Sequence, residues 1–215
     1  MSYPMVFDLL NATGETLYMV ITSTFFAVLL GFPLGTLLYA SHRIKNNPKL
    51  HKTLSVIINV LRSIPFIILL VAIIPLTRLI VGTSIGMNAA IVPLTIGAIP
   101  FFARLVDNVY QSLPSGLIET GYAMGASPNQ IIRHILLPEA KSGLIHAITV
   151  TAITLINYSA MAGTVGAGGL GTLAINYGYQ RFNAGIMIAT VLVLILLVQL
   201  MQMTGDYLAK RCTHH

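Results

Sequence analysis

The sequence predicts an all-α, polytopic membrane protein with five transmembrane helices. Composition is the first observation: of 215 residues, 55% are hydrophobic and only 8% are charged, where soluble domains carry about a quarter charged residues. The second is that the apolar residues fall in continuous runs, each long enough for a helix of roughly 20 residues across a bilayer. None shows the two-residue alternation of a barrel strand. The third is that nearly all Lys and Arg residues lie between the runs. The same inventory argues against other classes. The net charge of +6 is spread over short segments with no basic stripe interleaved with aromatics, so no nucleic-acid partner is expected. A single cysteine, Cys212, provides neither a disulfide framework nor metal-ligand spacing, and no metal is expected. Met1 to Asn11 lack the basic start of a cleavable signal peptide.

The runs follow in order. Thr16 to Ser41 has no Asp, Glu, Lys, Arg or His and predicts a first span at about 17–40. Its Gly31 and Gly35 have the G-x-x-x-G spacing that permits close helix contact. Thr53 to Thr77 is apolar apart from Arg62 and predicts a second span at 56–76. Arg62 reads there as a side chain snorkelling to the interface. Val81 to Gly86 reads as a short external loop, followed by a third span at 87–107. Pro65, Pro75, Pro93 and Pro100 are candidate kinks in spans two and three. Arg104 and Asp107 are spaced for an i,i+3 pair. Ser142 to Gln180 carries only His146, given no functional role, and holds a fourth span at 143–164. Phe182 to Gly205 is uncharged and holds the fifth at 184–206. There is no internal repeat and no linker, so residues 1–215 read as a single membrane domain.

Five spans put the termini on opposite sides. With the N-terminus outside, the cytoplasmic segments receive Arg43, Lys45, Lys49, Lys52, Arg62, Arg104, Arg133, Lys141, Lys210 and Arg211, leaving only Arg78 and Arg181 outside. Ten of twelve basic residues inside is the positive-inside bias. His214 and His215 are given no role.

That orientation places the polar segment 114–140 in the cytoplasm. It reads as two short helices. Ser115 can cap the first, and Gly125 can end it in the left-handed conformation that suits glycine. Ser127, Pro128 and Gln130 suit the start of the second as a capping box with proline at the first helical position, and Pro138 is expected to end it. Leu117, Ile118, Tyr122 and Met124 on the first helix, with Ile131, Ile132, Ile135 and Leu136 on the second, make an apolar surface suited to docking. Glu119, Thr120, Gly121 and Gly125, then Ile135, Leu137 and Pro138 after the same interval, resemble the "EAA" loop of ABC importer permeases. That pattern is Glu-Ala-Ala, three residues, Gly, nine residues, Ile-x-Leu-Pro. Thr120 and Gly121 stand in place of the two alanines, and Gly121 lowers helix propensity by about 1 kcal/mol. The resemblance implies that this loop, Met124 included, docks into a separate ATPase subunit.

Further stretches widen the resemblance. Arg62-Ser63-Ile64-Pro65-Phe66, Ala123-Met124-Gly125-Ala126, Tyr158-Ser159-Ala160-Met161-Ala162-Gly163 and the glycine-rich run Val165 to Gly171 are similar to the methionine-importer permeases, a type I ABC importer family, over almost the full length. The resemblance implies a homodimer in the bacterial inner membrane, served by two ABC ATPase subunits and a periplasmic or lipid-anchored binding protein. It implies alternating access, with ATP and Mg used by the partner and no cofactor bound by this chain. It implies methionine, D or L, as cargo; a permease for another amino acid or small solute shares the same loop. Span four follows the loop directly. There Asn157, Tyr158 and Ser159 are polar candidates for lining a pathway, and the resemblance makes Met161 the candidate gate.

Two alternatives come from other classes: an ATP-independent channel, which needs no docking loop, and an intramembrane enzyme, which needs paired catalytic groups at one depth. No catalytic residue is assigned. Gly166 to Gly171 satisfies G-x-G-x-x-G but follows a membrane helix rather than a strand. Gly82 to Gly86 satisfies G-x-S-x-G without strand–turn–helix context. No Walker A pattern occurs, so ATP chemistry is expected of a partner.

Overall fold

The computed structural model describes residues 3–44 and 46–212. Lys45, counted in the charge asymmetry, and His214 and His215 lie outside the described residues. Helix α1 runs Tyr3–Arg43. At 1.5 Å per residue it is about 60 Å long, well beyond a hydrocarbon core of roughly 30 Å. It therefore starts far ahead of the charge-free run, because a lack of charge marks depth in a bilayer rather than a helix end.

The second apolar run is expected to form one helix over 56–76 and instead forms three: α2 Pro48–Ser63, α3 Phe66–Ala72 and α4 Ile74–Val81. Proline is the cause at both joints. Pro65 forces Ile64 into extended backbone, φ −76° and ψ 121°, and the axis turns by 94° between α2 and α3. Ile73, two residues before Pro75, leaves helical geometry at φ −95° and ψ 12°. Helix α5, Met87–Gln111, holds Pro93 and Pro100 without breaking. It is the central element, with Leu94, Phe102, Ala103, Val106 and Tyr110 almost fully buried.

The remaining elements are α6 Gly116–Ala123, α7 Pro128–Gln130, a π-helical turn Ile131–Leu136, α8 Leu137–Glu139, α9 Lys141–Ala162, α10 Gly169–Leu173, a second π-helical turn Ala174–Tyr179, and α11 Ala184–Cys212. Four helices are long and apolar enough to cross a membrane: α1, α5, α9 (extended to Val165) and α11. The bent α2–α3 pair qualifies as a fifth. No strand occurs among the described residues.

Helix α1 lies along α5 at its two spaced glycines. A Cβ at Gly31 would sit 3.0 Å from the Ile99 carbonyl, and one at Gly35 would overlap the Ala103 carbonyl. The G-x-x-x-G spacing thus serves contact within the chain. Helix α11 approaches α9 at Gly205, where a Cβ would overlap Thr149. Its other face exposes Ile188, Leu192, Ile195, Leu196 and Leu200, a surface suited to lipid. One apolar core, around Met19, Leu94, Leu155 and Ile156, includes Phe66 and Leu70 of α3. A second, around Phe102, Tyr110, Ile131 and Leu136, joins α1 and α5 to the 114–140 hairpin.

Candidate functional site

Helix α6 ends in a Schellman turn. Gly125 N–H donates to Tyr122 O at 2.9 Å and Ala126 N–H to Gly121 O at 3.0 Å, and Gly125 has φ +76°. This is the left-handed stop expected of Gly125. Ser115, expected to cap the start, makes no side-chain cap hydrogen bond, because it already has helical backbone angles (φ −61°, ψ −30°) rather than the extended geometry of a capping residue. At α7, Gln130 Oε1 accepts from Ser127 N–H at 2.8 Å, with Pro128 at the first helical position.

Pro138 does not end the helix as expected. The preceding turn widens to π geometry, with Leu137 N–H bonded to Ile132 O. Pro138 then occupies the first turn of α8, where a missing N–H costs little. Helical backbone resumes at α9 after Ala140 alone (φ −76°, ψ −8°), so a single turn residue separates the second helix of the hairpin from the long span.

The hairpin's two halves meet at Gly121. A Cβ there would lie 2.9 Å from Ile135 Cδ1 and 3.0 Å from Ile131 Cγ1. A glycine at this alanine position lets α6 press directly on two isoleucines. Ile135 is thereby committed to the inside of the hairpin, and Leu137 is half-buried. Glu119 and Thr120 are exposed, and Met124 is 70% exposed. Tyr122 anchors the hairpin to α1 by donating to Ile44 O at 2.9 Å, a contact across 78 residues that sequence alone did not reveal.

A polar network lies behind the hairpin. Buried Asp107 accepts from Arg104 at 3.0 Å and from Gln111 at 2.9 Å. Arg104 also donates to Ser55 at 2.9 Å and Asn59 at 2.8 Å on α2. The i,i+3 pair expected of Arg104 and Asp107 is present, and it does more than pair: it fastens α2 to α5. The i,i+4 spacing of Ser55 and Asn59 was the available signal for that role. Arg62 lies over the Phe101 ring, 5.9 Å from its centroid, and His146 is 3.6 Å from Asp206.

On α9 the four candidate residues separate. Asn157 and Met161 are exposed in the isolated chain and share one face with exposed Val150. Tyr158 turns to α3 and stacks on Phe66, ring centroids 4.4 Å apart and 4° from parallel. Ser159 is 2% exposed and donates to Ile156 O at 2.8 Å, so it lies behind the open face.

At the opposite end of the bundle the glycine-rich run stitches three helices together. Gly169 N–H donates to Glu15 Oε2 at 2.6 Å, Leu170 N–H to Thr16 Oγ1 at 2.9 Å, and Gly86 N–H to Gly166 O at 3.0 Å. Glu15 and Thr16 as anchors for this run were not foreseen.

Residues 27–214 match the family model described as "Binding-protein-dependent transport system inner membrane component". The chain belongs to that family. Over 208 residues this family member is 51% identical to the probable D-methionine transport system permease protein MetI of Vibrio cholerae, covering 96% of this chain and 92% of that one. It is 56% identical over 165 residues to the D-methionine transport system permease protein MetI of Escherichia coli K12, covering 76% of each. A chain from the inward-facing structure of the MetNI methionine ABC transporter matches it with 53% identity and a TM-score of 0.97 over 100% of both chains. An amino acid ABC transporter crystallised with histidines shares the fold over 95% of this chain, with a TM-score of 0.78 at 18% identity. The all-α permease fold of type I ABC importers, expected from sequence, is thus the fold of this chain. No cluster of His, Cys, Asp and Glu able to hold a metal occurs among the described residues.

Proposed function

We propose that this permease is the membrane-spanning subunit of an ATP-driven methionine importer, working as a homodimer with two ABC ATPase subunits and a substrate-binding protein. The observation that carries this reading is the full-length match, at 53% identity, to a chain of the MetNI methionine ABC transporter. Bond-making chemistry belongs to the ATPase, which uses ATP and Mg. This chain supplies the pathway and binds no cofactor of its own. The N-terminus faces outside and the C-terminus the cytoplasm, a reading supported by the gathering of most Lys and Arg residues on the side that carries the hairpin.

The hairpin 114–140 is the coupling element, within one transmembrane domain of residues 1–215. Glu119, Thr120 and Met124 are its exposed docking contacts. Gly121, Gly125, Ile135, Leu137 and Pro138 set its shape. Its one-residue connection to α9 supports direct transmission of ATPase movement to the face bearing Asn157 and Met161, with Met161 as gate and Asn157 on the path. Tyr158 acts from α9 toward α3, and Ser159 supports the face from behind. The test is uptake by proteoliposomes holding the permease, its ATPase and its binding protein, across a panel of amino acids. ATP-dependent accumulation of methionine above the rest is expected; accumulation without ATP, or preference for another solute, overturns the reading.

A further inference from the structure

Helix α5 has an uncommitted cavity at its midpoint. It encloses about 240 Å³ and is lined by Leu61, Arg62, Phe66, Gly97, Phe101 and Tyr158, among others. Gly97 lies ten residues after Met87 and Phe101 ten before Gln111, so each is about 15 Å from its end of α5. If α5 is centred on a hydrocarbon core roughly 30 Å thick, both lie near its midplane. Arg62, read from sequence as snorkelling to the interface, lines this cavity beside Phe101. It is carried by the last turn of α2, immediately before the 94° break.

Its guanidinium finds no carboxylate or carbonyl partner within the described chain. The aromatic face it meets is that of Phe101, with the ring centroid 5.9 Å away. A guanidinium offers five donors in a fork that fits a carboxylate. Arg62 is exposed in the single chain, so the fork is open to a solute, and an ionisable group within a membrane span marks a solute path. The rest of the lining is apolar, aliphatic at Leu61, Ile64 and Leu69 and aromatic at three positions. Phe66 and Tyr158 stack as one wall, Phe101 lies beneath Arg62, and the Tyr158 hydroxyl makes no hydrogen bond within the described chain. Gly97 keeps the floor open: a Cβ there would already stand 3.3 Å from Leu69 and 3.5 Å from Phe66. The volume falls below the roughly 300–1,000 Å³ of drug-sized sites and equals about eight water volumes at roughly 30 Å³ each.

We infer that this cavity is a transient solute subsite of the permease: Arg62 holds the α-carboxylate of an amino acid, and the rings of Phe66, Phe101 and Tyr158 receive an uncharged apolar side chain. A thioether suits that wall, since sulfur packs well at ring edges. A cationic side chain does not, because it would be brought close to Arg62. The inference rests on the transport reading above and adds to it a place where the permease itself distinguishes solutes, apart from its binding protein.

The test places a thiol in the floor, Gly97→Cys in a Cys212→Ser background, in the permease–ATPase complex in nanodiscs without binding protein. Alkylation of that thiol by a small maleimide is followed with methionine or with methioninol, in which the carboxylate is replaced by a hydroxymethyl group. Methionine should slow labelling at least fivefold and methioninol less than twofold. Adding Arg62→Gln should remove the difference, while Arg62→Lys, a charge without the fork, should keep part of it. Tyr158→Phe should weaken protection without abolishing it. Equal protection by both compounds, protection that survives Arg62→Gln, or no protection by saturating methionine overturns the subsite. Uptake by the full complex is scored separately. Methionine uptake without protection of the thiol at position 97 refutes the subsite alone. Protection by a different amino acid, in a complex that does not take up methionine, refutes the methionine assignment and leaves the subsite standing.

Discussion

Gly125 and Gly121 are both glycines of the hairpin, and their reasons differ. At Gly125 a Cβ would meet nothing within 4 Å, but φ is +76°. The obstacle is backbone conformation, worth about 1–2 kcal/mol for an ordinary residue and more for a β-branched one. Gly125→Val is therefore expected to distort the end of α6. ATP-dependent uptake should fall at least tenfold while insertion and dimer formation persist, as judged by membrane fractionation and crosslinking. Glu119→Lys should give the same uptake loss by another route, since it reverses charge at an exposed position of the proposed docking surface without touching the fold; copurification of the ATPase reads that out. Gly121 sits in helical backbone, and there space decides. Gly121→Ala gains about 1 kcal/mol of helix propensity but crowds the tips of Ile131 and Ile135, which can shift by a rotamer. It should retain uptake within about twofold of the parent. Gly121→Leu cannot fit between α6 and the π-helical turn and should abolish uptake.

At the scale of elements, one connection with a measurable energy is the Arg104–Asp107 pair and its reach to Ser55 and Asn59. Asp107 is fully buried and Arg104 largely so, with side chains 1% and 17% exposed. Removing one partner of such a pair costs about 3–5 kcal/mol. Asp107→Ala should therefore lower the thermal unfolding midpoint of the detergent-solubilised complex by several degrees, more than Ser55→Ala or Asn59→Ala alone, which each remove one acceptor. Arg104→Lys cannot span all three acceptors and should fall between. These elements also mark where sequence was readable. The long uncharged runs of α1, α5, α9 and α11 announced themselves, because membrane burial excludes charge over whole turns. The spacing of Glu119, Gly125 and Pro138 placed the hairpin, because turns need particular residues at particular positions. What sequence did not disclose was three-dimensional. Pro65 signalled a kink, yet Pro93 and Pro100 leave α5 unbroken, and only packing separates the two cases. The directions of Tyr158 and Ser159 depend on which neighbours α9 meets, and the bonds of Tyr122 to Ile44 and Glu15 to Gly169 join segments far apart in the chain.

For the whole molecule, transport depends on which way it faces and on what covers the exposed face of α9. Orientation is checked with single cysteines in a Cys212→Ser background. Ile85 and Tyr179, 67% and 66% exposed at the end opposite the hairpin, should react with an impermeant thiol reagent in intact spheroplasts once changed to cysteine, whereas exposed Asn129 and Lys49 should not. Labelling at 129 from outside would reverse the topology and remove the docking role of the hairpin with it. The α9 face carries Val150, Asn157 and Met161, and Met161 is 40% exposed in the single chain. In a two-fold dimer the same face of each copy meets its equivalent across the axis. Ala140 alone separates that face's helix from the hairpin, so on the proposed coupling role of the hairpin, closing the two ATPases would displace it. A flexible thioether is suited to plugging a gap that opens and shuts. Met161→Cys should accordingly crosslink across the dimer in the nucleotide-free complex, block uptake when crosslinked, and lose the crosslink when ATP is trapped. Met161→Ala, which takes volume from the proposed gate without touching the hairpin, should raise passive methionine leak from proteoliposomes several-fold while binding-protein delivery still functions. Leak at the parent level together with no crosslink in either nucleotide state would make Met161 a packing residue and place the constriction on another helix.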